Sequence, residues 1–169
     1  LGEGGTTDLS DDGRWVLAGI FPNRVIMYPT GAGQSVELNT TSIELIADAR
    51  WLPGGKSIVL LGGPGGEAPR CYVMEVPGGT PRAVSAPGIV GVFPSPEPGR
   101  VLFQDANLAW YVAALDSAAA RTPALGLTEN DQVARWDSDG RTVYVILRNH
   151  VPNPVEAVDV VTGKRRSVT

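Results

Sequence analysis

The chain has 169 residues, 43% hydrophobic and 19% charged, a composition that excludes a disordered polymer and suits one globular region with a sizeable core. Its net charge of −4 argues against a nucleic-acid partner, because phosphate binding draws most of its affinity from Lys and Arg. One cysteine, Cys71, and one histidine, His150, exclude an intrachain disulfide and leave too few soft ligands for a structural zinc site, so neither metal nor cofactor is expected.

No apolar run approaches the roughly 18 residues that span a bilayer, and nothing at the start resembles a signal peptide. No membrane contact is expected of this segment. The chain opens at Leu1 without a methionine, so a longer parent or a processed product is expected.

The 21 glycines and 14 prolines favour tight turns and short strands over long helices. Taken in order, residues 6–39 read as four strands: Thr6 to Leu9, Arg14 to Ile20, Arg24 to Tyr28 and Gln34 to Leu38, parted by Pro22-Asn23 and Pro29-Thr30-Gly31. Residues 43–85 repeat the plan with Leu45 to Trp51, Ser57 to Leu61, Arg70 to Val76 and Pro81 to Ser85. The run Ser57 to Leu61 is apolar on both faces, as a strand covered from either side must be.

Residues 89–126 depart most. Pro94-Ser95-Pro96-Glu97-Pro98-Gly99 replaces a plain turn, and the alanines at 113, 114 and 118–120 favour a helix. The register of the other units overrules that and makes Leu108 to Leu115 a strand. Residues 131–169 close the series, with strands at Val155 to Val161 and Arg165 to Thr169.

The register rests on Gly13, Gly55, Gly99 and Gly140, spaced 42, 44 and 41 residues apart and each followed by Arg or Lys. A hairpin turn needs positive φ, which glycine adopts without steric cost. A period of about 40–45 residues is that of a four-stranded propeller blade. The fold class expected is all-β: a β-propeller region over residues 1–169, built of four four-stranded antiparallel blades, standing alone or as half of a larger or dimeric eight-bladed ring.

The segments ARWLPGGKSIVLL from Ala49 and ARWDSDGRTVYVI from Ala134, each followed by an apolar strand and a second glycine turn, resemble the TolB-like or WD-type β-propeller repeat. The resemblance covers essentially the whole chain. It implies that Trp51 and Trp136 wedge between blades, with Leu9 and Phe93 in their places in the first and third units. Such repeats occur in periplasmic translocation factors, in propellers gating peptidases, and in regions appended to bacterial receptor kinases and regulators, which the lead LGEGGTTDLSDDGRWVLA most resembles. A periplasmic or extracytoplasmic location is implied by that resemblance alone. It also implies a non-catalytic module binding protein or peptide, as sensor or interaction region of a larger bacterial protein. The alternatives are a substrate-gating propeller whose peptidase domain is absent, or a purely structural scaffold.

No catalytic constellation appears. Gly55-Lys56-Ser57 mimics the end of a phosphate loop, but Arg50 stands where that motif needs glycine. The glycines at 62–66 precede a strand, so no helix N-terminus is available for an anion. No Gly-x-Ser-x-Gly occurs, and His150 falls in an expected surface loop. Asp11-Asp12 and Asp137-Ser138-Asp139 could recruit calcium, though Asp beside Gly is ordinary turn chemistry. Asn39-Thr40-Thr41 fits a glycosylation acceptor, and Lys164-Arg165-Arg166 reads as a solvated strand or turn. The candidate binding residues are Arg50 and Arg135, which precede the wedge tryptophans; alternation turns them away from the tryptophans, toward the channel or toward acidic partners. Finally, four blades that fail to close leave two apolar faces bare. A homodimer is expected, with residues 1–20 of one copy near 131–169 of the other.

Overall fold

The computed structural model describes residues 3–115, 121–148 and 151–168. Among these, the chain meanders through four antiparallel sheets without a crossover. The first sheet holds β1 (Gly5–Leu9), β2 (Trp15–Ile20), β3 (Arg24–Pro29) and β4 (Val36–Glu37). The second holds β5 (Leu45–Trp51), β6 (Ser57–Gly63), β7 (Arg70–Glu75) and β8 (Arg82–Ala83). The third holds β9 (Ile89–Pro94), β10 (Arg100–Asp105), β11 (Trp110–Ala114) and β12 (Arg121–Pro123), and the fourth β13 (Asp131–Trp136), β14 (Thr142–Leu147), β15 (Val155–Asp159) and β16 (Arg165–Val168). Each sheet is one propeller blade. The strand over Trp110–Ala114 bears out the repeat register against helix propensity; Ala118 to Ala120, His150 and Thr169 lie outside the described residues.

Middle strands are the most buried, as Ile58, Val59 and Leu60 are fully enclosed, because each is covered by sheet neighbours on two sides and by blades on two faces. The outermost strands are shorter than expected. β4 and β8 hold two residues each, since an edge strand pairs on one side only and Pro81 removes a ladder donor beside β8. Conversely, β6 runs on to Gly63, pairing Gly62 and Gly63 with Ile46 and Leu45.

Three apolar clusters glue the blades in series. Leu17, Val25 and Met27 of the first blade meet Trp51, Ile58, Leu60 and Met74 of the second. Val59, Leu61 and Cys71 of the second meet Val92, Val101 and Phe103 of the third. Leu102, Trp110 and Val112 of the third meet Trp136, Val143, Val145 and Val158 of the fourth. Among the described residues no comparable cluster joins the fourth blade to the first.

The hairpins between the two inner strands set the register, and they correct one expectation. Gly13, Gly55 and Gly140 adopt φ of 68°, 66° and 63°, and each donates its N–H to the carbonyl three residues back. The bonds Ser10 N→Trp15 O, Leu52 N→Ser57 O, Ser95 N→Arg100 O and Asp137 N→Thr142 O close loops of one length. Ser95 is therefore the third-blade equivalent, and the true spacing is 42, 43 and 42 residues. Pro98 stands at the glycine position of the third hairpin; lacking an N–H and with φ fixed negative, it passes the left-handed conformation on to Gly99, at φ 76°. The expected wedge at Phe93 is thus displaced by one. Pro94 pairs with Val101 as Trp51 pairs with Ile58 and Trp136 with Val143, and Phe93 takes the place equivalent to the arginines.

Candidate functional site at the mouth of the propeller

The hairpin ends of the four inner strands surround a cavity of about 430 Å³. Two positions of each blade build it. At the wedge position Trp51 and Trp136 pack with the preceding blade, with Leu9 and Pro94 at the same register; at the residue before it Asp8, Arg50 and Phe93 reach the following blade, with Arg135 at the same register. Alternation along a strand forces this division. Both arginines expected from the sequence line the cavity mouth.

Their surroundings differ. Arg50 donates through Nε to Asp48 Oδ2 at 2.9 Å, and its guanidinium carbon lies 5.7 Å from the centre of the Phe93 ring in the next blade. It is thus both a lining and a paired residue. Arg135 has no carboxylate partner within ion-pair distance among the described residues; its guanidinium lies 5.4 Å from the Tyr144 ring of its own blade. Tyr144 in turn donates its hydroxyl to Asp137 Oδ2 at 2.7 Å, which raises the phenol above its ordinary pKa.

Asp8 works across a seam. Its Oδ2 accepts the backbone N–H of Trp51 at 2.8 Å, and its Oδ1 accepts that of Leu9 at 2.9 Å. Burial nevertheless pushes its carboxyl above the ordinary range, since those bonds and the Arg50 charge offset the lost hydration only in part. Asp11 Oδ2 accepts the N–H of Gly54 at 3.0 Å, tying the first hairpin to the second. Arg100 ties the third to the fourth by donating to Gly140 O at 3.2 Å while lying over the Trp136 ring. Trp136 Nε1 donates to Phe93 O at 3.0 Å, whereas the equivalent Nε1 of Trp51 is buried without a protein acceptor among the described residues.

The remaining sequence candidates are accounted for by folding. Asp12 Oδ1 accepts Ser10 Oγ and Arg14 N, and Asp139 accepts Arg141 N, Thr142 N and Thr142 Oγ1, so these acids are consumed as turn caps. Among the described residues no three His, Cys, Asp or Glu side chains gather as a cation site. Gly55-Lys56-Ser57 is a hairpin. Gly65 donates its N–H to Glu44 at 2.7 Å, and Thr40 is buried with its hydroxyl on Asn23 O. No helix among the described residues is long and apolar enough to cross a membrane.

One structural residue escaped sequence reasoning. Arg165, in the basic triplet, forms a two-pronged pair with the fully buried Asp131 side chain at 2.9 Å for each prong. It also donates to Glu156 at 2.6 Å and Gly126 O at 2.7 Å. This clasp ties the outermost strand of the fourth blade to its innermost. A charge triplet carries no period that could mark one member as buried.

The four four-stranded blades around this axial cavity define a β-propeller. No protein-family model and no curated protein matches the sequence. Solved structures agree on the fold: a TolB from Agrobacterium tumefaciens superposes with a TM-score of 0.74 at 16% identity, over 97% of this chain and 61% of that one. A TolB from Acinetobacter baumannii gives 0.76 at 14%, over 97% and 43%, and a chain of a nidogen/laminin complex gives 0.72 at 15%, over 98% and 62%. The chain thus spans less than two thirds of the length of these three structures.

Proposed function

We propose that the chain is a non-catalytic module that binds protein or peptide at the mouth of its propeller, as the sensor or interaction region of a larger bacterial protein. The observation that carries this reading is the axial cavity, where Arg135, without a carboxylate partner among the described residues, and the half-buried ring of Phe93 both line the opening. Such a combination suits a segment with an acidic and an apolar side chain, because a charge-assisted hydrogen bond fixes orientation while the aromatic wall supplies contact area. The resemblance to propellers appended to kinases and regulators supports the sensor role, and the nidogen/laminin neighbour is itself a protein complex. A homodimer belongs to the same reading, with a second copy as one of the protein partners.

Fluorescence anisotropy with labelled acidic, neutral and basic peptides tests it. Acidic, aromatic-containing peptides bind most tightly, and Arg50→Ala or Arg135→Ala weakens them about tenfold, the worth of one charged hydrogen bond. Absence of binding by every class, or binding indifferent to both substitutions, overturns the proposal.

A further inference from the structure

Arg121 and Arg165 occupy one place in the repeat. Arg121 pairs with Ala113 and Arg165 with Val158, and these pair in turn with the equivalent residues Val101 and Val143. In the fourth blade the guanidinium is fully engaged, with two prongs on Asp131 at 2.9 Å and a further bond to Glu156 at 2.6 Å. In the third blade the same clasp stands open. Arg121 lies over the Tyr111 ring, 4.4 Å from its centre, and its Nη1 stops 3.9 Å from Asp105 Oδ2, beyond hydrogen-bond reach. Asp105 is itself a departure from the repeat, since the equivalent positions of the other blades hold Ile20, Gly62 and Leu147. It is 8% exposed, and a buried charge costs free energy unless bonds replace its hydration. Its Oδ1 accepts the N–H groups of Asn107 and Ala109 at 2.9 and 3.1 Å, capping the short β10–β11 turn. Its Oδ2 receives no hydrogen bond among the described residues. Asp105 and Arg121 line a cavity of about 260 Å³ in the seam between the second and third blades, walled opposite by the connector Ser85 to Gly88.

We infer that this cavity is a ligand site, and that its ligand is an uncharged polyhydroxy group the size of one sugar unit, which closes the clasp by bridging Arg121 and Asp105. A hydroxyl donates and accepts through one atom, so it can donate to Asp105 Oδ2 while accepting from Arg121 Nη1. A neighbouring hydroxyl meets the exposed Asn107 at the rim, and the C–H face of the ring lies against Ile89 and Phe103, the apolar lining. The carboxylate and the guanidinium sum to no net charge, and an ionic ligand would set like charges side by side against one of them. Size selects further. A single water, about 30 Å³ in the liquid, bridges such a gap but fills a small part of 260 Å³, whereas sites for drug-sized ligands begin at roughly 300 Å³. Both walls belong to blades flanked on either side within this chain. The site shares no residue with the cavity at the mouth, so the inference goes beyond the proposed function and stands without it.

Saturation-transfer-difference NMR of the chain with glucose, galactose, mannose and N-acetylglucosamine tests it, with N-acetylalanine amide as a probe that offers peptide donors and acceptors but no hydroxyl. At least one sugar receives saturation, and the amide receives none. Asp105→Asn keeps an Oδ1 acceptor for the turn while replacing the Oδ2 acceptor by a donor, and Arg121→Gln removes the guanidinium from an exposed position of β12. Each weakens sugar binding about tenfold, the worth of one charged hydrogen bond. Thermal melts report whether the turn survives; where Asp105→Asn loses it, Arg121→Gln decides alone. No transfer to any of the four sugars, transfer to the amide in their place, or sugar binding indifferent to Arg121→Gln overturns the site.

Discussion

Trp51 and Trp136 occupy equivalent wedge positions and differ in one polar contact, which allows the seam energetics to be measured by a matched pair of substitutions. Trp136 Nε1 reaches Phe93 O at 3.0 Å, whereas the buried Trp51 Nε1 meets no protein acceptor among the described residues. Replacing either indole by phenyl removes similar volume from a site less than a tenth exposed, a shared packing loss of about 1–2 kcal/mol. Trp136→Phe also forfeits a hydrogen bond, worth about 1 kcal/mol net. Trp51→Phe instead removes a buried unsatisfied donor, recovering about 1–3 kcal/mol of desolvation. Trp136→Phe is therefore expected to destabilise by about 2–3 kcal/mol and Trp51→Phe by less than about 1 kcal/mol. Urea titration followed by far-ultraviolet circular dichroism measures both, provided the slope is unchanged between variants. Equal shifts, or a larger loss at Trp51, would refute the reasoning and show that the two indoles see the same environment.

The clasp gives a second contrast: Asp131→Ala leaves Arg165 half-buried without its two-pronged partner and costs about 3–5 kcal/mol, while Lys164→Ala in the same triplet is near neutral by the same titration. Its pH dependence has a definite sign. Burial pushes the Asp131 carboxyl up, but Arg165 and the Thr128 N–H outweigh it and hold the folded pKa below the ordinary value; the stabilisation is full above about pH 4 and is lost as pH falls through the folded pKa. Asp131→Asn removes that acid-side loss, and an unchanged acid limb in thermal melts counts against the clasp. Cys71 is 4% exposed, and burial pushes its thiol up to about 11, so a thiol reagent at mildly alkaline pH labels it only after denaturation; prompt labelling of the folded chain would contradict the packing of the second seam.

The sequence displayed the architecture because the fold is repetitive. Turn glycines must recur wherever a hairpin needs positive φ, and Gly13, Gly55 and Gly140 do so at one offset from their tryptophan or leucine wedge. The same signal misleads at the third blade, where Pro98 moves the left-handed residue to Gly99: the shared offset of four counted from Gly99 falls on the polar Ser95, and the aromatic Phe93, expected as the wedge, lies one residue short of the true wedge, Pro94. A count from Ser10, Leu52, Ser95 and Asp137 gives the true register, but two serines, a leucine and an aspartate form no recognisable pattern and only their backbone bonds relate them. Arg50 and Arg135 were legible as cavity-lining residues, because alternation from a wedge tryptophan dictates their side. Their different pairing was not, since Asp48 lies two residues from Arg50 while the equivalent neighbour of Arg135 is Val133. The Arg165 clasp depends on a fold-back between residues 34 apart in sequence, a distance over which no local pattern speaks.

The position before the wedge also explains why seam and site coincide. Core positions repeat their character from blade to blade: Ile58, Val101 and Val143 are all buried aliphatics at one place in the repeat. The forward-facing position holds Asp8, Arg50, Phe93 and Arg135, four residues with three chemistries. A position whose only task was to fill a gap between sheets would be apolar each time, because burying a charge costs more than a methyl group returns. These side chains stand at the rim, where the seam opens into the axial cavity, so each reaches either across the seam or into the channel. Asp8 is committed across it through Trp51 N, the Phe93 ring packs against the cluster of the third and fourth blades, and Arg50 is shared between Asp48 and Phe93. Arg135, unlike Arg50, has no carboxylate within ion-pair distance among the described residues, and only the Tyr144 ring of its own blade lies against it. Specificity in a ring of near-identical blades resides where the repeat ceases to be identical, and in this chain that place is the rim position, with Arg135 its least constrained member.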